Sequence, residues 1–379
     1  MKFATRLVQF DVSPKDPYHP MATPIYQTAT FEQDQADSFG EYDYSRSGNP
    51  TRRVLENQLA DLEGGIRGFC FSSGMAAILA VTQLLKPGDE ILADWDLYGG
   101  ATRLFGEVVN RAGIKVRYID ASDPEGVAQE FHPETRLLYV ESPTNPMLRV
   151  LNLVALSDIT HQHGALFCVD SSTMSPYLQN PLSLGADIVI HSATKFLCGH
   201  SDVTGGAVVV RDESLAKEIA FLQNATGTAL GPFDCFLLLR GLKTLKIRMD
   251  AQQSTSEKIA SFLAGHANVS AVHYPGLPTH AGYSHQLRQA RGGGSVLSFT
   301  AGTADAAKKI AETTRLFRIA VSFGSVSSTI SVPVHMSHIS TPLALRPSRG
   351  IPSDLVRLSI GIEDAGELIE DLSQALNRI

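Results

Sequence analysis

Tryptophan occurs once in 379 residues and cysteine four times. The cysteines (Cys70, Cys168, Cys198 and Cys235) are scattered without a CxxC pair, and three lie in apolar runs, so they read as reduced, buried thiols. No apolar run approaches the roughly 18 residues of a membrane span. Basic residues are in deficit, 32 against 39 acidic ones for a formal charge of −7, which argues against nucleic acid or an anionic membrane as the main partner. Walker loops, Rossmann fingerprints and Gly-x-Ser-x-Gly elbows are missing, as are internal repeats and low-complexity tracts. Gly292-Gly293-Gly294 precedes a predicted strand rather than a helix, so it is a turn and not a phosphate loop. The pairs His161/His163, His280/His285 and His335/His338 lack accompanying cysteine or acidic spacing, so no metal is expected. The first residues, MKFATRLVQFDVSPKDPYHP, show neither an apolar signal core nor a long Arg/Ser-rich transit segment. A cytoplasmic location is therefore expected, or a plastid only where a transit peptide has been trimmed.

What is present is an ordinary globular composition, 43% hydrophobic and 19% charged, long enough that two domains are the default expectation. Residues 1 to about 45 show little periodicity and read as an extended arm covering another part of the molecule or a neighbouring subunit. An amphipathic helix is predicted over Thr51 to Glu63. From Gly68 strand and helix alternate, the signature of a parallel sheet with covering helices: strands at 68–71, 90–93, 116–119, 137–140, 165–170, 188–191 and 207–210, helices at 76–85 and 151–163. Beyond Val210 the periodicity changes. Helices are predicted at 215–223, 232–251, 255–265 and 365–377, and strands at 295–300, 329–332 and 355–359. The boundary between a large domain (46–241) and a C-terminal domain (242–379) falls near Gly241.

The chemistry concentrates in ADIVIHSATKFLCGHSDVTGG, residues 186–206. A lysine just past the end of a buried strand is costly unless paired, neutralised or used covalently. Ser192 and Thr194 flank it at minus three and minus one, suited to an anionic group. Lys195 therefore reads as a Schiff-base lysine, with the hydroxyls on a cofactor phosphate. Asp170 closes the apolar run Ala165 to Val169, and an unpaired carboxylate there is expensive. A cationic ring nitrogen such as the pyridinium of pyridoxal 5'-phosphate (PLP) would compensate it. One strand–helix–strand unit separates Asp170 from Lys195, which places both at the same carboxyl edge of a doubly wound sheet. Ser72-Ser73-Gly74-Met75 joins a strand to a helix start, where free backbone N–H groups suit a phosphate. Tyr98 lies in a strand-to-helix loop, as a stacking ring or a core-edge tyrosine. Asn145, in ESPTNP, offers a polar amide at the end of a buried strand. Tyr44 and Arg46 either meet an anion or belong to a solvated turn. Arg357 interrupts a buried strand, with either a substrate carboxylate or a structural ion pair to Glu363 or Asp364 as its partner.

In family order, YSRSGNPT, SSGMAA, LYGG, ESPTNP, VD-x-S, SATKF-x-x-GHSD and VRLSIGIED resemble the Cys/Met-metabolism family of PLP-dependent enzymes over essentially the whole chain. The resemblance implies an α/β fold of type I, aspartate aminotransferase-like. It comprises a large domain, whose mainly parallel sheet is wrapped by helices, and a smaller α/β C-terminal domain. It implies PLP on Lys195, Asp170 at the pyridine nitrogen, Tyr98 stacked on the ring and Asn145 at its 3-oxygen. Gly74, Met75, Ser192 and Thr194 would bind the phosphate. Tyr44 and Arg46 would reach the phosphate of the neighbouring subunit, in a homotetramer built as a dimer of dimers. Arg357 and Ser322 would take the substrate carboxylate, with Val321 beside them. FLQNATGTALGPFDCFLLLRGLKT and AVSFGSVSSTISVP are similar to the plant-type cystathionine β-lyase branch, which implies a carbon–sulfur lyase releasing homocysteine, pyruvate and ammonia. The γ-lyase and γ-synthase branches, the alternative, usually carry Gly-Gly and Glu-Ser where this chain has Gly324-Ser325 and Ser327-Ser328. The cysteine-producing γ-lyases often place an acidic residue where Val321 stands. Methionine γ-lyases have a cysteine at the position of Gly100. Ser171 stands where the family has asparagine, which leaves the hydrogen bonding of Asp170 to be located.

Overall fold

A computed structural model describes residues 1–13, 16–336 and 351–379. Its first sheet is built from β1 (Arg67–Phe71), β2 (Glu90–Asp94), β3 (Lys115–Ile119), β4 (Thr135–Glu141), β5 (Leu166–Asp170), β6 (Ile188–Ser192) and β7 (Gly206–Val210). Its order is β1-β7-β6-β5-β4-β2-β3, with only β7 running against the rest. Short runs of Val, Ile, Leu and Phe buried on both faces produce this parallel arrangement. A second sheet, ordered β10-β11-β12-β9-β8, comprises β8 (Ala271–His273), β9 (Val296–Thr300), β10 (Arg318–Ile319), β11 (Thr329–Ser331) and β12 (Leu355–Ser359).

Helices cover both. In chain order they are α1 (Phe3–Arg6), α2 (Pro50–Glu63), α3 (Gly74–Thr82), α4 (Gly99–Glu107), α5 (Pro124–Gln129), α6 (Leu153–Gln162) and α7 (Ser175–Leu178). There follow α8 (Glu213–Thr226), α9 (Pro232–Leu242), α10 (Leu245–Ala264), α11 (Tyr283–Gln289), α12 (Ala304–Thr313) and α13 (Ala365–Leu376). Leu92, Val140, Val169, Val189 and Val209 fill the core on one face of the large sheet, and Ile91, Tyr139, Cys168, Ile190 and Val208 fill that on the other. A third core, around Phe299, Ile330, Leu358 and Leu372, belongs to the second sheet. All four cysteines are buried and free. Among the described residues no helix is long and apolar enough to cross a membrane.

Two stretches differ from the sequence-based expectation. The helix expected over 232–251 breaks early, at Lys243-Thr244, and α10 then runs unbroken to Ala264. The polar run Gln252-Gln253-Ser254-Thr255 looked like a helix boundary. Instead Gln252 and Thr255 are buried, and Gln252 donates to carbonyls across the helix. The N-terminal stretch is not extended throughout either. A helical turn, α1, docks on α2: Leu7 is 1% exposed within the first core, and Gln58 donates to the Arg6 carbonyl at 2.7 Å. Extended backbone follows, with Phe31 N–H donating to the Asp43 carbonyl at 2.9 Å and Ser45 N–H to that of Ala29 at 2.8 Å. Asn49 caps α2 by accepting from the N–H groups of Thr51 and Arg52, with Pro50 at the first helical position.

The topology brings the carboxyl ends of the central strands to one edge. Glu141 of β4 lies opposite Asp170 of β5, Asp170 opposite Ile190 of β6, and Ser192 of β6 opposite Gly206 of β7. Gly206 has a steric reason. A Cβ there would sit 2.2 Å from the Ser73 carbonyl oxygen and 2.8 Å from the Gly74 nitrogen. Gly206→Ala should force the α3 N-terminus off the sheet and cost about 1–3 kcal/mol by overpacking. Thermal unfolding should show a lowered Tm; an unchanged Tm would mean that α3 has room to yield.

Candidate active site

The segment after β6 makes one helical turn. Lys195 N–H donates to the Ser192 carbonyl at 3.1 Å and Gly199 N–H to the Lys195 carbonyl at 2.8 Å, with Gly199 closing the turn at φ +77°. This turn delivers the Lys195 side chain into a cavity of about 420 Å³. Its amine donates to Ser322 Oγ and lies 4.7 Å from the centroid of the Phe323 ring. Burial first, and then the Arg357 cation, bring it down from 10.5 to about 8, while Asp170 pulls the other way. The neutral form is thus reached far closer to neutral pH than for a free lysine.

Asp170 ends β5 with its carboxylate Oδ1 accepting from Ser172 N–H at 2.9 Å and Ser172 Oγ–H at 2.6 Å, and Oδ2 accepting from the Tyr139 hydroxyl at 3.3 Å. Burial raises this carboxyl and those hydrogen bonds oppose the shift. The hydroxyl of Ser171 goes elsewhere, to Gln179 Oε1 at 3.2 Å. The departure at Ser171 thus leaves Asp170 held by the following residue. Ser172 Oγ also accepts from the Ser192 N–H at 2.6 Å, joining the ends of β5 and β6.

Gly74 and Met75 open α3, which Ser73 caps by accepting from the Ala76 N–H at 3.1 Å. Their N–H groups are among the first of a helix and point where an anion is favoured. Ser192 faces them, its Cβ 3.1 Å from where a Gly74 Cβ would lie. Thr194 is pinned by accepting from the Gly205 N–H at 3.0 Å. Tyr98, at the N-cap position of α4, is 41% exposed, and its N–H donates to Glu141 Oε1 at 2.7 Å. Burial and the facing Asp170 push the Glu141 carboxyl well up. A Cβ on Gly100 would stand 2.4 Å from the Tyr98 ring, so the ring position requires glycine there.

Arg357, on β12, is 2% exposed. Its Nη1 donates to Asn145 Oδ1 at 2.9 Å and its Nη2 to the Ser322 carbonyl at 2.6 Å, while Nε has no partner. Burial pushes the guanidinium down to about 10. The structural ion pair is excluded: Glu363 accepts from Ser328 N–H at 2.6 Å and Ser328 Oγ–H at 2.8 Å, and Asp364 caps α13. Among the described residues this buried cation has no carboxylate partner. Ser322 adopts φ +76°, so both its hydroxyl and its carbonyl face the two cations. Val321 is 63% exposed and lines the cavity.

The cavity therefore gathers Gly74, Met75, Tyr98, Asn145, Asp170, Ser192, Thr194, Lys195, Val321, Ser322 and Arg357. It does not include Tyr44 or Arg46, which are exposed and pack on each other, the guanidinium 5.4 Å from the tyrosine centroid. Ser73, in the turn already read as a phosphate site, lines it too; sequence reasoning missed Arg103, Glu141, Ser172, Thr173, Thr204, Phe323 and Met336, which also line it. Ser172 carried a local signal, since a serine two residues after a strand-ending aspartate can fold back on it. Glu141, the last residue of a buried strand, carried another. The histidine pairs have other work. His161 meets Asp187 at 2.9 Å and His163 stacks on Phe131 at 4.5 Å, while His338 lies outside the described residues.

Three features of this cavity fit PLP: a buried amine with a depressed pKa, a buried carboxylate with no basic side chain in bonding range, and a helix N-terminus beside two hydroxyls. A profile of the Cys/Met metabolism PLP-dependent enzyme family matches residues 4–377. The chain belongs to this family. It is 53% identical over 362 residues to a chloroplastic cystathionine β-lyase of Mimosa pudica, covering 96% of this chain and 79% of that protein. It is 51% identical over 372 residues to the chloroplastic cystathionine β-lyase of Arabidopsis thaliana, covering 98% and 80%. Among solved structures, the cystathionine γ-lyase of Lactobacillus plantarum complexed with L-serine superposes with a TM-score of 0.97 at 38% identity, over 100% of this chain and 99% of that one. The fold is thus the type I fold of PLP-dependent enzymes, and the chain is a PLP-dependent carbon–sulfur lyase by family.

The two serines after Asp170 give a direct test of how its carboxylate is held. Hydrogen bonds to a charged group are worth about 1.5–3 kcal/mol. Ser172→Ala should therefore weaken PLP binding at least tenfold, whereas Ser171→Ala should leave it within about twofold, as measured by equilibrium cofactor titration. Equal effects of the two substitutions would contradict the assignment.

Proposed function

We propose that the chain is a cystathionine β-lyase, converting L-cystathionine and water to L-homocysteine, pyruvate and ammonia. The observation that carries this reading is Arg357, a buried cation lacking a carboxylate among the described residues, beside a lysine amine depressed to about 8. An amino-acid substrate supplies that carboxylate and presents its α-carbon to the amine. The β outcome rests on Gly324-Ser325, Ser327-Ser328 and Val321, and on the identity to the two plant β-lyases.

In this reading Lys195 holds the cofactor's carbonyl carbon, Asp170 its ring nitrogen, Tyr98 its face and Asn145 its 3-oxygen. Gly74, Met75, Ser192 and Thr194 surround its phosphate. PLP, when bound, supplies an electron sink for negative charge at the substrate's α-carbon. Arg357 and Ser322 orient the substrate by its α-carboxylate, with Val321 at their side. Once the substrate amine has taken its place on the cofactor, Lys195, freed as a neutral amine, would take the α-proton and return a proton to the sulfur of departing homocysteine. Arg103, exposed at the cavity and without an ionic partner among the described residues, is placed for the carboxylate at the far end of cystathionine.

The active unit in this proposal is a dimer within a homotetramer, with Tyr44 and Arg46 reaching the neighbouring phosphate site. Their exposure supports it, as do the apolar side chains left in water on the same arm: Tyr18 at 90%, Met21 at 93% and Phe39 at 69%. We divide the chain into an arm (1–45), a large domain (46–241) and a C-terminal domain (242–379); α10 packs on β8, β9 and α13 in support of this, while its first turns, with Leu245 and Met249, stay in the first core and meet α7.

Incubation with L-cystathionine should yield pyruvate and homocysteine; 2-oxobutyrate and cysteine would establish γ-elimination instead. Lys195→Ala should abolish turnover. Arg357→Leu should raise KM at least tenfold. Because its cation helps lower the Lys195 amine, which is free only once the substrate is bound, that substitution should also move the acid limb of the kcat profile, expected near 8, to higher pH. An unchanged KM would return Arg357 to a structural role.

A further inference from the structure

Helix α10 carries two buried polar side chains one turn apart, Arg248 at 4% and Gln252 at 0% exposure. Their bonds run away from their own helix. Arg248 Nη1 donates to the Phe196 carbonyl at 2.9 Å, Nη2 to the Gly241 carbonyl at 2.9 Å, and Nε to Thr244 Oγ1 at 3.0 Å. Gln252 Nε2 donates to two carbonyls, Ser325 at 2.8 Å and Ile360 at 2.9 Å.

The positions of these acceptors are informative. Phe196 follows Lys195 directly, Ser325 lies three residues past Ser322, and Ile360 three residues past Arg357. One helix face therefore grips the segment bearing the amine at one point, and both segments bearing the carboxylate-binding groups at another.

Arg248 has no carboxylate among its bonded partners, although a buried guanidinium is costly without one. The neighbouring sequence makes room for it. A Cβ on Gly199 would lie 2.1 Å from Arg248 Nη1, and one on Gly241 would lie 2.4 Å from the Cys198 carbonyl oxygen. The gripped segments also touch each other. Val326 N–H donates to the Gly199 carbonyl at 2.9 Å, and a Cβ on Gly324 would lie 2.8 Å from the Phe196 nitrogen.

We propose that Arg248 and Gln252 are positioning residues that fix the separation between the Lys195 amine and the Ser322–Arg357 carboxylate site. Arg248 sets the amine end and Gln252 the carboxylate end. This rests on the roles given above to Lys195 and Arg357. It predicts that the two ends fail separately, which a merely structural contribution does not.

The test compares holoenzymes of wild type, Arg248→Met and Gln252→Met. The readouts are kcat and KM on L-cystathionine, the pH profile of kcat, the Tm, and the affinity for glycine followed by visible absorbance of the bound cofactor. Gln252→Met should raise KM and the glycine dissociation constant fivefold or more, with kcat and the acid limb of the profile nearly unchanged. Arg248→Met should lower kcat tenfold or more and displace the acid limb by at least 0.5 pH unit, with glycine affinity within threefold. If Arg248→Met does not fold, Arg248→Lys, which keeps the charge but bridges only one of the two carbonyls, should show the same split at smaller size. Variants within twofold of wild type in every readout overturn the proposal. So do variants that change KM and kcat together in proportion to a lowered Tm. Wild-type turnover of cystathionine is scored independently, so a failure of the lyase reading is distinguished from a failure of the positioning role.

Discussion

The site depends on a primary amine kept out of water with a guanidinium nearby. Lys195 is tied to Ser322 by its amine, and Arg357 is tied to the same residue through its carbonyl. Burial lowers both cations, and the Arg357 charge adds to the effect on the amine, which comes down to about 8 while the guanidinium stays charged at about 10. Asp170 sits on the other side as the counterweight, itself raised by burial. The two sheets hold these three charges apart: Asp170 and Lys195 come from the ends of adjacent parallel strands, and Arg357 from the second sheet.

Much of this was legible in the chain. Apolar runs that end in a charged residue mark Asp170 and the Lys195 turn, and the alternation of strand and helix places them at one edge. Arg357 was visible as an arginine in a buried strand, but its partner was not. Glu363 and Asp364 lie close in sequence, and only the structure shows both committed elsewhere, to Ser328 and to the start of α13.

What escaped the sequence shares one physical cause: it depends on contacts between residues far apart in the chain. Gln252 to Thr255 looked like a polar break, because no local pattern reveals that carbonyls from residues 325 and 360 wait for Gln252. The N-terminal turn looked unstructured because the core that buries Leu7, and on which Phe3 and Phe10 pack, is supplied by other segments, α2 among them. Glu141 and Ser172 carried local signals, but their bonds to the backbone of Tyr98 and Ser192 did not, since backbone donors leave no mark in a residue pattern.

Ser322 carries a consequence for the energetics of substrate entry. Its left-handed backbone turns both its oxygen atoms toward the cations, so the enzyme meets its substrate with those charges already hydrogen-bonded by protein rather than by bulk water. An arriving carboxylate then exchanges one buried acceptor for another, and little hydration has to be stripped from either cation at that moment. The desolvation was completed when the chain folded, and the strained serine is where the folded state retains part of that cost.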